Sequence, residues 1–350
     1  MTHRTGVTGR ITGMRARTFD LHTHHYTPAF FEAVRDSGGD YSFAKDPTGR
    51  DIITLHGARF FGVTPAMTDL AARLAAMDAA GIDVAVLSLS TPNVFFLPPH
   101  LQAGLARRMN DAYAEAMAAH PDRIRAFASV PMDDPDAALS ELHRAVDALR
   151  MNGVVLLSNI GGRPLTDPRY RPFLAEADRM SLCILLHPMI PATGQESLRE
   201  FVLGPIVAFP FDTTLAVARM CYAGVFREFP RIRWVVAHAG GAVPWLMQRL
   251  DNGYRDFAEN REHIDEPPST YLKRLYYDTV TFSPHTLTLL RDTVGADHMV
   301  MGSDFPHLLG DIDRAVPSIT SLPIPEAEKE RILGGTARSV LLNLGPTGRP

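Results

Sequence analysis

The stretch FDLHTHHY, residues 19–26, sets three histidines within four positions behind an aspartate. In an extended strand the side chains at i and i+2 share one side, so His22 and His24 converge while His25 turns away. Converging neutral imidazoles are the commonest nitrogen ligands of zinc and related divalent ions. A pair does not make a site, and the other donors must come from elsewhere. Three further residues stand directly behind short apolar runs: His187 in LLHP, His238 in VAHAGG and Asp304 in GSDFP. Three imidazoles and one carboxylate hold a divalent cation and leave a position open for water or substrate, which is what a catalytic centre needs. On this reading His22, His24, His187 and Asp304 are the ligands. Zinc is the expected ion, with manganese compatible with the same donors. His238 is then a spare imidazole, a side chain suited to proton transfer, and Asp304 is the other candidate for that work. Each residue alone has a plainer reading, such as a backbone-bonded histidine or an Asx turn. Their joint placement carries the signal.

The elements that would position these groups are legible as a repeating pattern. Apolar runs ending in polar or turn residues occur at 18–22, 84–90, 124–130, 153–157, 181–187, 232–238, 275–278 and 299–304. Continuous runs of this kind suit strands buried on both faces, as in parallel sheets. Helical spacing fills the gaps, over 68–81, 101–119, 134–153, 168–180, 212–228, 243–260, 284–295 and 326–343. This alternation predicts an α/β fold, a (β/α)8 TIM barrel, with a small insertion after strand 1 at 38–65 and a long loop after strand 5. The barrel is expected over 18–343, between a polar tail at 1–17 and a short C-terminal tail at 344–350, and Met14 is an alternative start. In such barrels chemistry gathers at the C-terminal ends of the strands. His22, His24, His187, His238 and Asp304 all fall there.

Composition narrows the class. The 350 residues are 45% hydrophobic and 21% charged, with 35 basic and 39 acidic side chains and a formal charge of -4. No block of basic residues marks a nucleic-acid surface, and no apolar run of roughly eighteen residues marks a membrane span. Two cysteines, Cys183 and Cys221, argue against a disulfide framework and for a reducing, cytoplasmic setting.

The phrases DLHTH, LLHP, AHAGGAVPWLMQR and GSDFP, in this order and at these strand ends, resemble the amidohydrolase superfamily. The likeness covers about 18–343 and is nearest to its decarboxylase branch, typified by aminocarboxymuconate semialdehyde and 6-methylsalicylate decarboxylases. The resemblance implies one metal on His22, His24, His187 and Asp304, with His238 assisting. It implies a metal-dependent decarboxylase of a small aromatic or unsaturated carboxylic acid, acting as a homodimer or higher homo-oligomer. The fourth strand end, VVLLSN, lacks the bridging lysine of the binuclear hydrolases. The resemblance also implies that Arg249 binds substrate carboxylate in the neighbouring subunit; the competing reading is an ion pair on a helix surface. A substrate-binding arginine is implied in the insertion, where Arg59 is the candidate, with His56, Phe60 and Phe61 as companions in a lid. Phe209 and Phe211, in the long connector, are candidates to sandwich a planar ring or to pack beneath the loop. Two other readings use the same chain: a mononuclear hydrolase or deaminase, and a barrel kept as a binding scaffold.

Overall fold

The structure is a computed structural model that describes residues 17–191 and 194–344. The tails read from the sequence and the alternative start at Met14 lie outside these residues, apart from Arg17 and Leu344. Among the described residues thirteen strands occur in chain order: β1 (Phe19–His24), β2 (Tyr41–Lys45), β3 (Asp51–Leu55), β4 (Ala58–Gly62), β5 (Val84–Ser88), β6 (Ile124–Ala128), β7 (Gly153–Leu157), β8 (Asn159–Ile160), β9 (Arg163–Pro164), β10 (Cys183–His187), β11 (Arg233–Val236), β12 (Tyr276–Asp278) and β13 (Met299–Val300). Eight of them form one parallel sheet in the order β1-β5-β6-β7-β10-β11-β12-β13. The sheet closes on itself through backbone bonds between its first strand and the segment after its last, Leu21 N to Met301 O at 2.9 Å and His24 N to Phe305 O at 2.7 Å. It is the (β/α)8 barrel that the alternating pattern predicts.

The apolar runs become strands because both of their faces are covered. Every residue of β5, β7 and β10 is buried, as parallel strands between a barrel interior and a helical coat must be. The helices begin where side-chain oxygens take up orphan N–H groups. Asp69 accepts from Ala72 N before the helix Leu70–Ala80, and Asp134 does the same before Pro135–His143. Gly81, at φ 72°, ends the first of these. Among the described residues no helix is long and apolar enough to cross a membrane.

Two segments add to the sequence reading. The insertion after the first barrel strand is a three-stranded antiparallel sheet, β2-β3-β4. Its turns carry the signals: Asp46 Oδ1 accepts from Thr48 N and Arg50 N, and His56 and Gly57 both take positive φ between β3 and β4, the geometry of a two-residue hairpin. The eighth barrel strand stops at Val300, four residues short of Asp304. The chain turns there because Gly302 packs on His22, where a Cβ would fall 2.8 Å from the histidine Cβ.

The sixth barrel strand leaves through an equally tight passage. Gly241 has φ 60° and ψ −122°, and a Cβ on it would lie 2.2 Å from Pro210 O and 2.7 Å from Thr214 Oγ1. Only glycine fits both the conformation and the space. Gly241→Ala is expected to lower the unfolding free energy by about 2 kcal/mol or more, measured by urea denaturation, with Gly81→Ala, where no atom stands within 4 Å, losing less.

Candidate active site

The barrel brings His22, His24, His187 and Asp304 together, each buried, with one donor atom apiece all within 4.8 Å of one another. His22 and His24 project from β1, His187 ends β10, and Asp304 sits on the turn after β13 at φ 54°. The backbone N–H of Asp304 donates to His22 O at 2.8 Å, so the turn is tied to the strand that bears the histidines. His25 turns away toward the Tyr113 ring, as the strand period requires.

The outer nitrogens of the three imidazoles fix which way their lone pairs face. His22 Nδ1 stands 2.5 Å from Asp278 Oδ2, an acceptor. His187 Nδ1 stands 3.0 Å from the Pro188 carbonyl, also only an acceptor. His24 Nδ1 meets Ser88 Oγ at 3.0 Å, and that hydroxyl spends its hydrogen on Thr23 O, so it too must accept. All three Nδ1 atoms therefore donate outward, and each Nε2 presents a lone pair inward. His22 Nε2 and His24 Nε2 lie 3.1 Å apart, and His24 Nε2 lies 3.0 Å from Asp304 Oδ1. Lone pairs and a carboxylate converging without hydrogens between them call for a shared cation. The cluster fits one metal ion.

Electrostatics agree with that polarity for His24 and His187. Burial pushes the His24 pKa down to about 3, only partly offset by Asp304, and burial also holds His187 well below its ordinary value. Both stay neutral and able to ligate. Burial also opposes charge on His22, but the Asp278 carboxylate outweighs it and raises that pKa. For Asp304, burial is overcome by the surrounding imidazoles, His238 foremost and then His24 and His22, which hold the carboxyl well below the usual range. Behind the cluster, burial lifts the Asp20 pKa to about 7 against the bond from Ser303 Oγ, 2.5 Å away.

His238 completes the inner face. Its Nε2 is 3.5 Å from Asp304 Oδ2, while its Nδ1 is buried without a partner. Its backbone has φ 54°, and this strained turn is held by Asp278, whose carboxylate accepts from His238 N at 3.0 Å and Ala239 N at 2.9 Å. Asp278 and Ser88 hold the outer nitrogens of His22 and His24, and sequence reasoning passed over both. Asp278 was visible as the polar end of the seventh apolar run, by the same rule that picks out His187.

Above the cluster opens a cavity of about 540 Å³ whose lining includes His187, His238 and Asp304. Arg59 and Phe209 line it, as do Phe60, Phe61 and His307, whose Nε2 meets Tyr26 Oη at 3.0 Å. Phe211 does not. Two positions beyond Phe209 on the helix Phe209–Tyr222, it faces the opposite side and is 60% exposed. Arg249 is exposed on the helix Val243–Asp256, away from this cavity, and forms no ion pair among the described residues. His56 is exposed and stands 3.4 Å from Asp40.

The family model described as Amidohydrolase matches residues 19–342. The chain belongs to that family. Among its relatives, the gamma-resorcylate decarboxylase of Rhizobium sp. is 33% identical over 286 residues, 76% of this chain and 85% of that one. The 2-amino-3-carboxymuconate-6-semialdehyde decarboxylase of Dictyostelium discoideum is 26% identical and covers 93% of this chain and 92% of its own. A solved dihydroxybenzoic acid decarboxylase from Polaromonas sp. JS666, with bound manganese and the inhibitor 2-nitroresorcinol, superposes with a TM-score of 0.78 at 26% identity, over 93% and 96% of the two chains. The amidohydrolase and decarboxylase resemblance read from the sequence is thus met.

Because Asp278 fixes the His22 tautomer, Asp278→Asn is expected to weaken zinc or manganese binding by about 10–100-fold. Titration calorimetry on metal-stripped protein measures this, with circular dichroism to show that the variant is folded.

Proposed function

We propose that this carboxy-lyase removes CO2 without oxidation from an ortho-hydroxybenzoic or related unsaturated acid, by protonating the carboxyl-bearing carbon before the C–C bond breaks. The observation that carries the reading is the pairing of His238 with Asp304 at 3.5 Å, on the wall of the same cavity that exposes the ligand cluster. The names of the relatives support the reaction class.

Loss of CO2 directly from an sp2 carbon leaves a localised carbanion with nowhere to delocalise. Prior protonation of that carbon makes it tetrahedral and places positive charge on the ring, stabilised by the ortho oxygen. The C–C bond then breaks, its electron pair restores the aromatic system, and CO2 departs. His22, His24, His187 and Asp304 would hold a divalent ion, which would supply Lewis-acid charge for the substrate carboxylate. Three imidazoles in the donor set favour zinc over manganese, which prefers oxygen. His238 carries the proton at Nε2, where Asp304 Oδ2 steadies it. Asp304, depressed by its histidine neighbours, stays a carboxylate and is the weaker proton donor of the two. Phe60 and Phe209 flank the ring and exclude water, and Arg59 meets the acid near the mouth.

Arg249 takes its role through a second copy. Trp245 is 78% exposed one turn before it, and Phe211 and Leu215 are exposed on the adjoining helix. This apolar face around a guanidinium with no ion pair among the described residues supports a homodimer in which Arg249 reaches the other subunit's substrate.

Metal-reconstituted protein should release CO2 from ortho-hydroxybenzoates, and His238→Ala should lower kcat by about 10²–10⁴-fold with metal content unchanged. Stoichiometric metal without CO2 from any acid, but turnover of lactones or amides, would replace this reading with hydrolysis. If Arg249 acts in the neighbouring subunit, mixing inactive Arg249→Ala and His238→Ala proteins under subunit exchange should restore part of the activity; no recovery from mixtures shown to contain heterodimers excludes that role.

A further inference from the structure

We infer that His307, oriented by Tyr26, binds the ring oxygen next to the substrate carboxylate by donating a hydrogen bond from Nδ1, on a different flank of the ligand cluster from His238. The inference rests on the decarboxylase reading and gives that site a second imidazole that touches substrate, one that holds its proton where His238 hands its proton over.

The first observation is placement. Beyond the ligands, His238 and His307 are the imidazoles that line the cavity among the described residues. The His238 ring stands against His22 and His187, with centroids 5.1 and 5.7 Å apart, whereas the His307 ring stands against His24 at 5.2 Å. The two approach the metal position from different sides. Contact with His24 puts His307 at the depth of the cluster, so a second subunit closing the mouth leaves its place unchanged. The ring is held edge-on by His24, Phe61 and Tyr26. The turn that carries it is closed by His307 N to Asp304 O and Gly310 N to His307 O, both at 3.0 Å.

The second observation is the tautomer. His307 Nε2 lies 3.0 Å from Tyr26 Oη, and Tyr26 is fully buried. That oxygen also takes a bond from the Ser90 hydroxyl, so the phenol's own hydrogen goes to His307 Nε2. A ring nitrogen that accepts carries no hydrogen, and the N–H of this imidazole is then on Nδ1. Nδ1 has no hydrogen-bond partner among the described residues and is not one of their enclosed unpartnered atoms, so it opens on the cavity that the ring lines.

A fixed donor beside the ligand cluster takes an acceptor oxygen of the substrate. The carbon that receives the proton belongs with His238, and the oxygen on the adjoining ring carbon is the acceptor left for the other flank. Holding it there sets the rotation of the ring beneath His238. The bond is strongest when that oxygen carries phenolate charge.

The test is calorimetric binding of 2-nitrophenol and 2-nitrotoluene to the full-length, metal-reconstituted protein. In both probes a nitro group stands in for the carboxylate, and they differ in whether the neighbouring substituent is an oxygen. His307→Asn keeps an N–H close to the Nδ1 position, His307→Gln keeps an acceptor close to the Nε2 position, and His307→Phe keeps neither. His307→Phe and His307→Gln should weaken 2-nitrophenol by about 10–100-fold and leave 2-nitrotoluene unchanged, whereas His307→Asn should retain most of the binding. Tyr26→Phe, which leaves the ring packed and frees its tautomer, should lose less than His307→Phe. Metal content and circular dichroism accompany each variant. In turnover of ortho-hydroxybenzoates, His307→Phe should raise KM more than it lowers kcat, the reverse of His238→Ala. Rescue by Gln and not by Asn shows that only the bond to Tyr26 matters and overturns the inference, as does an equal loss for both probes or no loss for either. CO2 release with any of these outcomes leaves the decarboxylase reading standing. Binding that follows the Nδ1 donor, with no CO2 from any acid, upholds the contact to the ring oxygen and overturns the decarboxylase reading alone.

Discussion

The buried carboxylate of Asp278 is the point on which the site's geometry hangs. Its two oxygens accept from His22 Nδ1, His238 N, Ala239 N and Val280 N, at 2.5, 3.0, 2.9 and 3.0 Å. Burial alone would protonate such a group, yet His22 and the other donors hold its pKa below the ordinary value. Leaving a buried ion without its partner costs roughly 3–5 kcal/mol, so the four donors and the acceptor specify one another. Through this one residue the first strand's histidine and the turn carrying His238 are set relative to each other. The ligand that faces the metal position and the imidazole that faces the substrate cannot move independently.

Backbone strain is concentrated around the same hub. His238, Ala239 and Asp304 all have φ near 55°, a conformation that costs about 1–3 kcal/mol for a residue with a Cβ. Each is over-determined by bonds into the barrel: Asp278 holds the first two, and His22 O takes the N–H of Asp304. Arg73 braces the opposite side, buried with Nη1 2.7 Å from Thr23 Oγ1, bonded to the His24 carbonyl and lying over the Phe305 ring. The strain aims the reacting side chains inward from turns, where regular strand geometry would have placed them in the sheet.

This division explains what was legible in the sequence. The barrel was readable because strands covered on both faces must be continuous apolar runs, and because β7, at Gly153–Leu157, is bounded by the residues that the pattern marks. The ligands were readable because polar groups directly behind such runs have few other reasons to be there. Asp278 satisfied that rule but, as a second-rank carboxylate, had no pattern of its own to separate it from a cap. Ser88 was invisible for a related cause: its role depends on where its hydroxyl hydrogen goes, toward Thr23 O, and no sequence spacing encodes that. The sheet β2-β3-β4 was lost because its strands are short and only partly buried, so apolar alternation is weak; the hairpin turn at His56 and Gly57 was the stronger cue. The faces of Phe209 and Phe211 required knowing that the helix begins at Phe209 and not at Asp212.

The separation between ligand cluster and upper cavity also explains how one barrel serves different acids. The donor set and its hub are built from β1, β10, β12 and the turns after β11 and β13, which the closure of the barrel fixes. The outer walls of the cavity come from the small sheet, the connector after β10 and the Leu308–Leu309 turn, none of which carries a barrel hydrogen bond in its wall-forming residues among the described residues. Changes there alter the fit of a ring or its substituent without disturbing His22, His24, His187 or Asp304. Reaction class is therefore read from the strand ends, and substrate from the residues that fold over them.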